Sequence, residues 1–443
     1  MSDSRKKRQL PDPVVATIET LSHEGRGVVH LDGKTVFVDN ALPGEQVRFR
    51  YLRRRSKRDE AAAEEIITPS PRRVAPFCGH YHVCGGCSLQ HMEPAYQIEH
   101  KQRVLLEQLR HIGGVIPGEV LAPLTGPVRG YRRKARLGAR YVFRKERVLV
   151  GFRERHSSFI ADLDHCGVLH PAVGGLIPAL KELLGGLSIR DRIPQIEAAV
   201  GEDAVILVLR HLAPLNPPDR ARLGEFETQH GVRLWLQPGG PETAAPLTPG
   251  AGDACLSYGF DEEGITLRFL PLDFTQINFV VNRAMLGRIR ELLQPAPGEA
   301  VLDLFCGLGN FTLPLSRHVQ SITGVEGDAA LVRRARDNAE CNGIVNAEFL
   351  QADLSLETPP AGFPGNSYDK VLLDPPRAGA REILLGLDLA GVKRLVYVSC
   401  NPATLARDAG LLVQEKGMQL AAAGVMDMFP HTSHVESIAL FER

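Results

Sequence analysis

The sequence lacks any apolar stretch long enough to span a bilayer. Its polar start, MSDSRKKRQLPDP, also lacks the apolar segment of a secretory leader. No membrane association is expected, and a cytoplasmic location is. Cysteine is scarce: eight in 443 residues do not make a disulfide scaffold, so clustered cysteines in a reduced chain bind metal or do chemistry. Net charge is missing too, because 52 basic and 52 acidic side chains cancel. That balance hides a split. Residues 1–160 hold 29 Lys and Arg against 17 Asp and Glu, leaving 23 against 35 for the remainder. The positive charge is bunched in Arg5-Lys6-Lys7-Arg8, between Arg53 and Arg58, and in YRRKARLGAR from Tyr131. Three such runs in one half favour a surface that faces a polyanion over three solvated faces.

The length implies two or three domains. Residues 13–68 read as short strands between turn signals (VVATIETL, GRGVVHL, KTVFVDN, EQVRFRYLRRR), a pattern that suits a small five-stranded barrel. A cysteine-rich stretch follows, FCGHYHVCGGCSLQHM, and then EPAYQIEHKQRVLLEQLRHIGG, with helical spacing and a Gly-Gly stop. Residues 125–270 mix strand-like runs such as RVLVGFRE and AVILVLRH with one helix near Val173 to Leu187, an α+β texture. From about Leu272 apolar strands alternate with helical patterns (VLDLF, SITGVE, AEFLQAD, KVLLDPP, RLVYVSC), which implies a parallel sheet with helices on both faces. The expected architecture is multidomain α/β: an OB-like barrel over 8–68, a middle domain over 75–265 and a Rossmann-like domain over 266–443.

VLDLFCGLGNFTLPL is strand, glycine turn and helix, and Gly307 and Gly309 let backbone N–H groups approach a ligand. A Gly-x-Gly alone is weak. Glu326, about 20 residues on at the end of the next strand, strengthens it as a carboxylate for two ribose hydroxyls. Asp353, after the third strand, lies where an adenine amino group would bind. A dinucleotide fingerprint wants a third glycine, where this chain has Asn310-Phe311-Thr312. With the stiff Asp374-Pro375-Pro376-Arg377 loop after a fourth strand, the pattern resembles the class I S-adenosylmethionine-dependent methyltransferases.

Cys400, in YVSCNPATLARD, ends the fifth strand at the edge where open α/β sheets bind ligands. Cysteines there are more often packed than reactive. A pyrimidine C5, however, becomes nucleophilic only when a thiolate adds at C6, and a base must later remove the C5 proton. DMFPHTSHVESIALFER offers His431, His434 and Glu436 for that proton. Cys78, Cys84 and Cys87 form C-x5-C-x2-C, with Cys166 far downstream. Four thiolates at such spacing most often mean structural zinc, with an iron–sulfur cluster second. Cys255, Cys306 and Cys341 read as unreactive.

Together, SCNP, DPPR, FCGLGNFTLPL and FPHTSHVE resemble the RNA uracil-C5 methyltransferase family. The resemblance implies Cys400 as nucleophile and Glu436 as base. It also implies Gln276 (in PLDFTQIN), Phe305, Asn310, Glu326, Asp353 and Asp374 as contacts of S-adenosyl-L-methionine. For Cys78, Cys84, Cys87 and Cys166 it implies a 4Fe–4S cluster in place of zinc; the purpose expected for it here is a structural clip holding the basic middle domain, since the reaction needs no redox step. IETLSHEGRGVVHLDGKTVFVDNALPGE resembles a TRAM domain. Members acting on transfer RNA are expected to lack both barrel and cysteine cluster, so their combination here resembles the 23S rRNA branch. The expected partner is then 23S rRNA, with no obligate protein partner and a monomeric state. The alternatives are another rRNA site, tRNA, or a non-catalytic RNA-binding assembly factor.

Overall fold

The computed structural model describes residues 11–248, 250, 255–356 and 368–443. The basic run Arg5-Lys6-Lys7-Arg8 and the first residues of the expected 8–68 barrel lie outside these.

The first sheet has six strands, in the order Val14–Thr17, Gln46–Arg54, Arg58–Thr68, Lys34–Asp39, Gly27–Leu31, Thr20–Leu21. In Gln46–Arg54, strict alternation sends Val47, Phe49 and Tyr51 inward to meet Ile18, Val29, Val36 and Val38. Asp32 and Gly33, both at positive φ, turn the chain between paired Leu31 and Lys34, the Asp-Gly solution for a two-residue hairpin. The sequence suggested five strands, and the sixth is Arg58–Thr68. Its Ala and Glu residues suit a helix, but pairing on both sides overrides that local preference. Opposite this strand the basic run is partly neutralised. Arg48 pairs with Glu65, Arg50 with Glu64, Arg54 with Asp59 and Arg55 with Glu60.

A second six-stranded sheet runs Ala245–Pro246, Arg233–Gln237, Val205–Arg210, Gln195–Val200, Lys134–Val142, Arg147–Gly151. In Lys134–Val142, Ala135, Leu137 and Ala139 face the core while Arg136 and Arg140 point out. The helix expected near Val173 to Leu187 is two pieces, Pro171–Gly174 and Ile177–Gly185. A further helix, Pro217–His230, starts at a capping box in which Asn216 and Asp219 satisfy each other's backbone amides.

The large sheet has eight strands, ordered Ala347–Gln351, Ser321–Glu326, Ala300–Leu304, Lys370–Leu373, Arg394–Ser399, Glu436–Glu442, Gln419–Met426, Glu119–Val120. The first five are parallel and were legible as the alternating apolar runs. Glu436–Glu442 enters antiparallel between Arg394–Ser399 and Gln419–Met426. One face carries helix Phe279–Leu293. The other carries helix Pro402–Gln414 and, from far upstream, helix Pro94–Gln108, whose Ile98, Val104 and Leu105 share a core with Leu395, Leu405 and Leu420. Strand order reverses between Ala300–Leu304 and Lys370–Leu373, the kind of switch point outside whose carboxyl ends open α/β sheets bind ligands.

Candidate active site

Each parallel strand delivers one element to this edge. After Ala300–Leu304 come Phe305, held at φ 65°, and the turn with Gly307 at 58° and Gly309 at 92°. Glu326, ending the second strand, accepts the Gly307 amide at 3.0 Å and the Asp328 amide at 3.0 Å. The expected ribose carboxylate therefore also fixes the turn. Asp353, two residues past the third strand, is exposed and accepts the Ser355 amide and hydroxyl at 2.9 and 2.6 Å, which hold its carboxyl below the usual range. Asn310 forms a reciprocal pair with Asn282, both bonds at 3.0 Å, and accepts the Tyr258 hydroxyl at 2.8 Å. Its side chain is thus a brace for the turn, and its backbone is what it offers a ligand. Below it, the Thr312 hydroxyl donates to Asp303 at 2.5 Å, and burial pushes this carboxyl up to about 7.

Asp374 follows the fourth strand. Gln276 donates to it at 3.3 Å, and burial pushes its carboxyl up to about 7. The next residues bind outward: the Arg377 guanidinium donates to His434 Nε2 at 2.7 Å, and its carbonyl accepts Asn401 Nδ2 at 2.9 Å and the Thr404 hydroxyl at 3.3 Å. Cys400 is half-buried, one residue before Asn401, which caps helix Pro402–Gln414. Burial, then the negative charges of Glu436 and Asp374, push the thiol up to about 11, against the pull of Arg377. Glu436 is 4% exposed. Burial and Asp374 hold its carboxyl well above the usual range, while Lys101 and Arg377 act the other way. Cys400, Glu436, Asp374 and Gln276 are therefore brought together, with Glu326 and Asp353 spaced along the same edge.

The connection carrying Glu436 is clamped by groups that no motif announced. The Tyr131 hydroxyl donates to the Pro430 carbonyl at 3.0 Å. The amides of Ser88 and Leu89 donate to the His431 carbonyl at 2.8 and 3.0 Å, and the His431 amide donates to Gln97 at 2.9 Å. His431 is held at φ 65°, a conformation costly for a residue with a Cβ. His431 and His434, weighed as bases, are both pushed down to about 4 by burial and so stay neutral.

Cys78, Cys84, Cys87 and Cys166 line one enclosed cavity with Phe77, Tyr81, Phe152 and Arg132. Burial and mutual proximity push the Cys87 thiol up to about 12 and raise those of Cys84 and Cys166. Among the described residues, no three His, Cys, Asp or Glu side chains are drawn close enough to hold a metal ion. The cysteines share a cavity without closing on a centre. Cys306 is buried against the glycine turn and Cys341 is exposed. Among the described residues no helix is long and apolar enough to cross a membrane.

A methyltransferase-domain family matches residues 295–411. The TRAM domain of tRNA (uracil(54)-C(5))-methyltransferase matches residues 14–72. The chain is 54% identical to a Hahella chejuensis protein, over 99% of this chain and 100% of that one. It is 53% identical to proteins of Alkalilimnicola ehrlichii, covering 99% of each chain, and Methylococcus capsulatus, covering all of both. All three are named 23S rRNA (uracil(1939)-C(5))-methyltransferase RlmD. A solved structure, Pyrococcus abyssi tRNA (uracil-54, C5)-methyltransferase in complex with S-adenosyl-L-homocysteine, superposes with a TM-score of 0.74 at 25% identity, over 96% of this chain and 99% of that one. The TRAM-domain match and the Pyrococcus abyssi structure overturn the expectation that transfer-RNA enzymes lack the barrel: a barrel does not separate the two RNA classes.

Proposed function

The chain belongs to the RNA (uracil-C5)-methyltransferase family, and on that premise we propose that it methylates C5 of a uridine in 23S rRNA with S-adenosyl-L-methionine as donor. Full-length identity above half to the 23S rRNA enzymes supports this substrate over tRNA. The observation that carries the chemistry is the Cys400 thiol and the buried Glu436 carboxyl meeting, with Asp374, at the carboxyl edge of the parallel strands.

S-adenosyl-L-methionine, when bound, supplies a methyl group made electrophilic by a sulfonium. The residues at this edge fit such a ligand: Glu326 for ribose hydroxyls, Asp353 for the adenine amino group, and Gln276, Phe305, Asn310 and Asp374 around the rest. Cys400 acts as thiolate. It adds to C6 of the uracil, which pushes the C5–C6 electron pair onto C5 and O4, and C5 takes the methyl group. Glu436 then removes the C5 proton, the C5–C6 double bond re-forms, and the C6–S bond breaks to return the thiolate. Arg377 and the start of helix Pro402–Gln414 favour the anionic sulfur. A target uridine within folded RNA reaches Cys400 only if flipped out, with the barrel and the arginines of the second sheet holding the flanking backbone.

The four-cysteine cavity would hold a 4Fe–4S cluster through Cys78, Cys84, Cys87 and Cys166. An all-thiol donor set in an apolar cavity suits a soft metal centre. Bound there, it would stiffen the Ser88–Leu89 segment that grips the His431 carbonyl, and so would shape the base's connection without joining the reaction.

The test is incubation with transcripts of 23S rRNA and of tRNA, followed by mapping of 5-methyluridine. Methylation of one uridine in the ribosomal transcript is expected. Methylation of the tRNA alone, or of neither, would overturn the assignment.

A further inference from the structure

Helix Pro94–Gln108 carries a lysine on its buried face, beside Gln97, Ile98, Val104 and Leu105. Lys101 is 1% exposed, in the same stretch of helix as Ile98, Val104 and Leu105. An ammonium at that depth is strongly unfavourable unless its donors are matched. Here Nζ donates to Asp427 at 2.7 Å and to the Phe429 carbonyl at 3.0 Å. Both acceptors belong to the connection between Gln419–Met426 and Glu436–Glu442 that delivers Glu436. Asp427 is itself 3% exposed, and its amide is fixed by the Leu124 carbonyl at 2.8 Å. An apolar pair of the same size would pack as well or better. What the ion pair adds is a fixed charge.

The charges coupled to Glu436 are those of Asp374 and Arg377 in the loop after Lys370–Leu373, Cys400 after the end of Arg394–Ser399, and Lys101 on the helix. His434, on its own connection, stays neutral while accepting from Arg377. Asp427 is the carboxylate that Lys101 binds, at 2.7 Å. Two cations thus favour an ionised Glu436, and the carboxylates and a thiolate oppose it. Lys101 is the cation that cannot swing away into solvent.

Resting on the reading of Glu436 as the base, we propose that Lys101 is a positioning residue for it, anchoring its connection through Asp427 and Phe429 and setting a buried positive charge against its carboxylate. Removing either partner of the pair must then act on the base with opposite sign. Lys101→Met deletes the cation, so the carboxylate forms at higher pH. Asp427→Asn frees the cation from its counter-ion, so the carboxylate forms at lower pH.

The experiment is the pH profile of adduct resolution in the full-length protein with a 23S rRNA transcript, for wild type, Lys101→Met and Asp427→Asn. The acid limb is expected to move up by about one unit in the first variant and down in the second. Turnover of the first at neutral pH should fall roughly tenfold, recovering as pH rises. Loss of rate in both variants with unmoved limbs would reduce Lys101 to a packing role and overturn the proposal. If Lys101→Met fails to fold, the downward shift in Asp427→Asn decides alone, and an unmoved or raised limb there overturns it. Glu436→Gln separates the two levels. If it turns over like wild type, the base itself is misassigned; if it traps adduct while the limbs stay fixed, only the role of Lys101 fails.

Discussion

Cys400 directly follows Ser399 and Glu436 directly precedes Ser437, the last pair made between the antiparallel strands Arg394–Ser399 and Glu436–Glu442. A thiol and a carboxyl therefore stand at the same edge of two neighbouring strands, close enough for the charge of Glu436 to raise the Cys400 thiol. The pairing exists because the chain's last strand inserts antiparallel beside the fifth parallel one, so that one strand's end meets the other's start.

Cys400→Ala removes the thiol proposed to load electron density onto C5. Turnover should fall by at least about 10⁴-fold, while S-adenosylmethionine affinity, measured by calorimetry, stays within about twofold, on the order of 0.4 kcal/mol. Retained methylation would remove the thiolate from the mechanism.

The protonation of Cys400 is open to direct titration. Because its thiol is pushed up to about 11, its alkylation by iodoacetamide should rise about tenfold per pH unit from 7 to 9. Glu436→Gln removes the second-largest cause of that rise and should move the curve to lower pH. Half-maximal alkylation below pH 8 in the wild type would contradict the electrostatic account.

Asp408 ties together the loop after Asp374. It is fully buried and accepts from Tyr397 at 2.7 Å, the Ala380 amide at 2.8 Å and Arg407 at 2.7 Å. Asp408→Ala orphans three donors and should cost about 3 kcal/mol in urea unfolding. A loss under about 1 kcal/mol would mean that the loop is held elsewhere.

Cys84→Ala should lower the iron and sulfide taken up on anaerobic reconstitution and reduce kcat with little change in cofactor affinity. Zinc without sulfide in the wild type would favour the zinc reading. Full-rate methylation by cluster-free protein would end the structural-clip role.

Much of this was legible because the chemistry sits where strands stop. VLDLF runs into the glycine turn at Gly307, SITGVE ends on Glu326, KVLLDPP carries Asp374 before its two prolines, and RLVYVSC ends on Cys400; a glycine turn and carboxylates are not what core packing asks for. Such misfits show in one dimension. The strand Arg58–Thr68 did not, because RDEAAAEEIIT carries a helix-compatible composition and becomes a strand only between two partners. Helix Pro217–His230 was hidden by having only Leu223 and Phe226 as apolar residues to bury. The clamp on Glu436 was invisible for another reason. Gln97 and Lys101 reach it from more than 300 residues away, and a lysine in an amphipathic helix reads as solvated until its burial is seen.

The most direct measurement is peptide mapping of the Glu436→Gln protein after incubation with 23S rRNA transcript and methyl donor. The expected result is an RNA-dependent band that survives denaturation, with a methylated uridine attached to the peptide containing Cys400. No band, or a nucleotide attached to any other residue, would contradict the account.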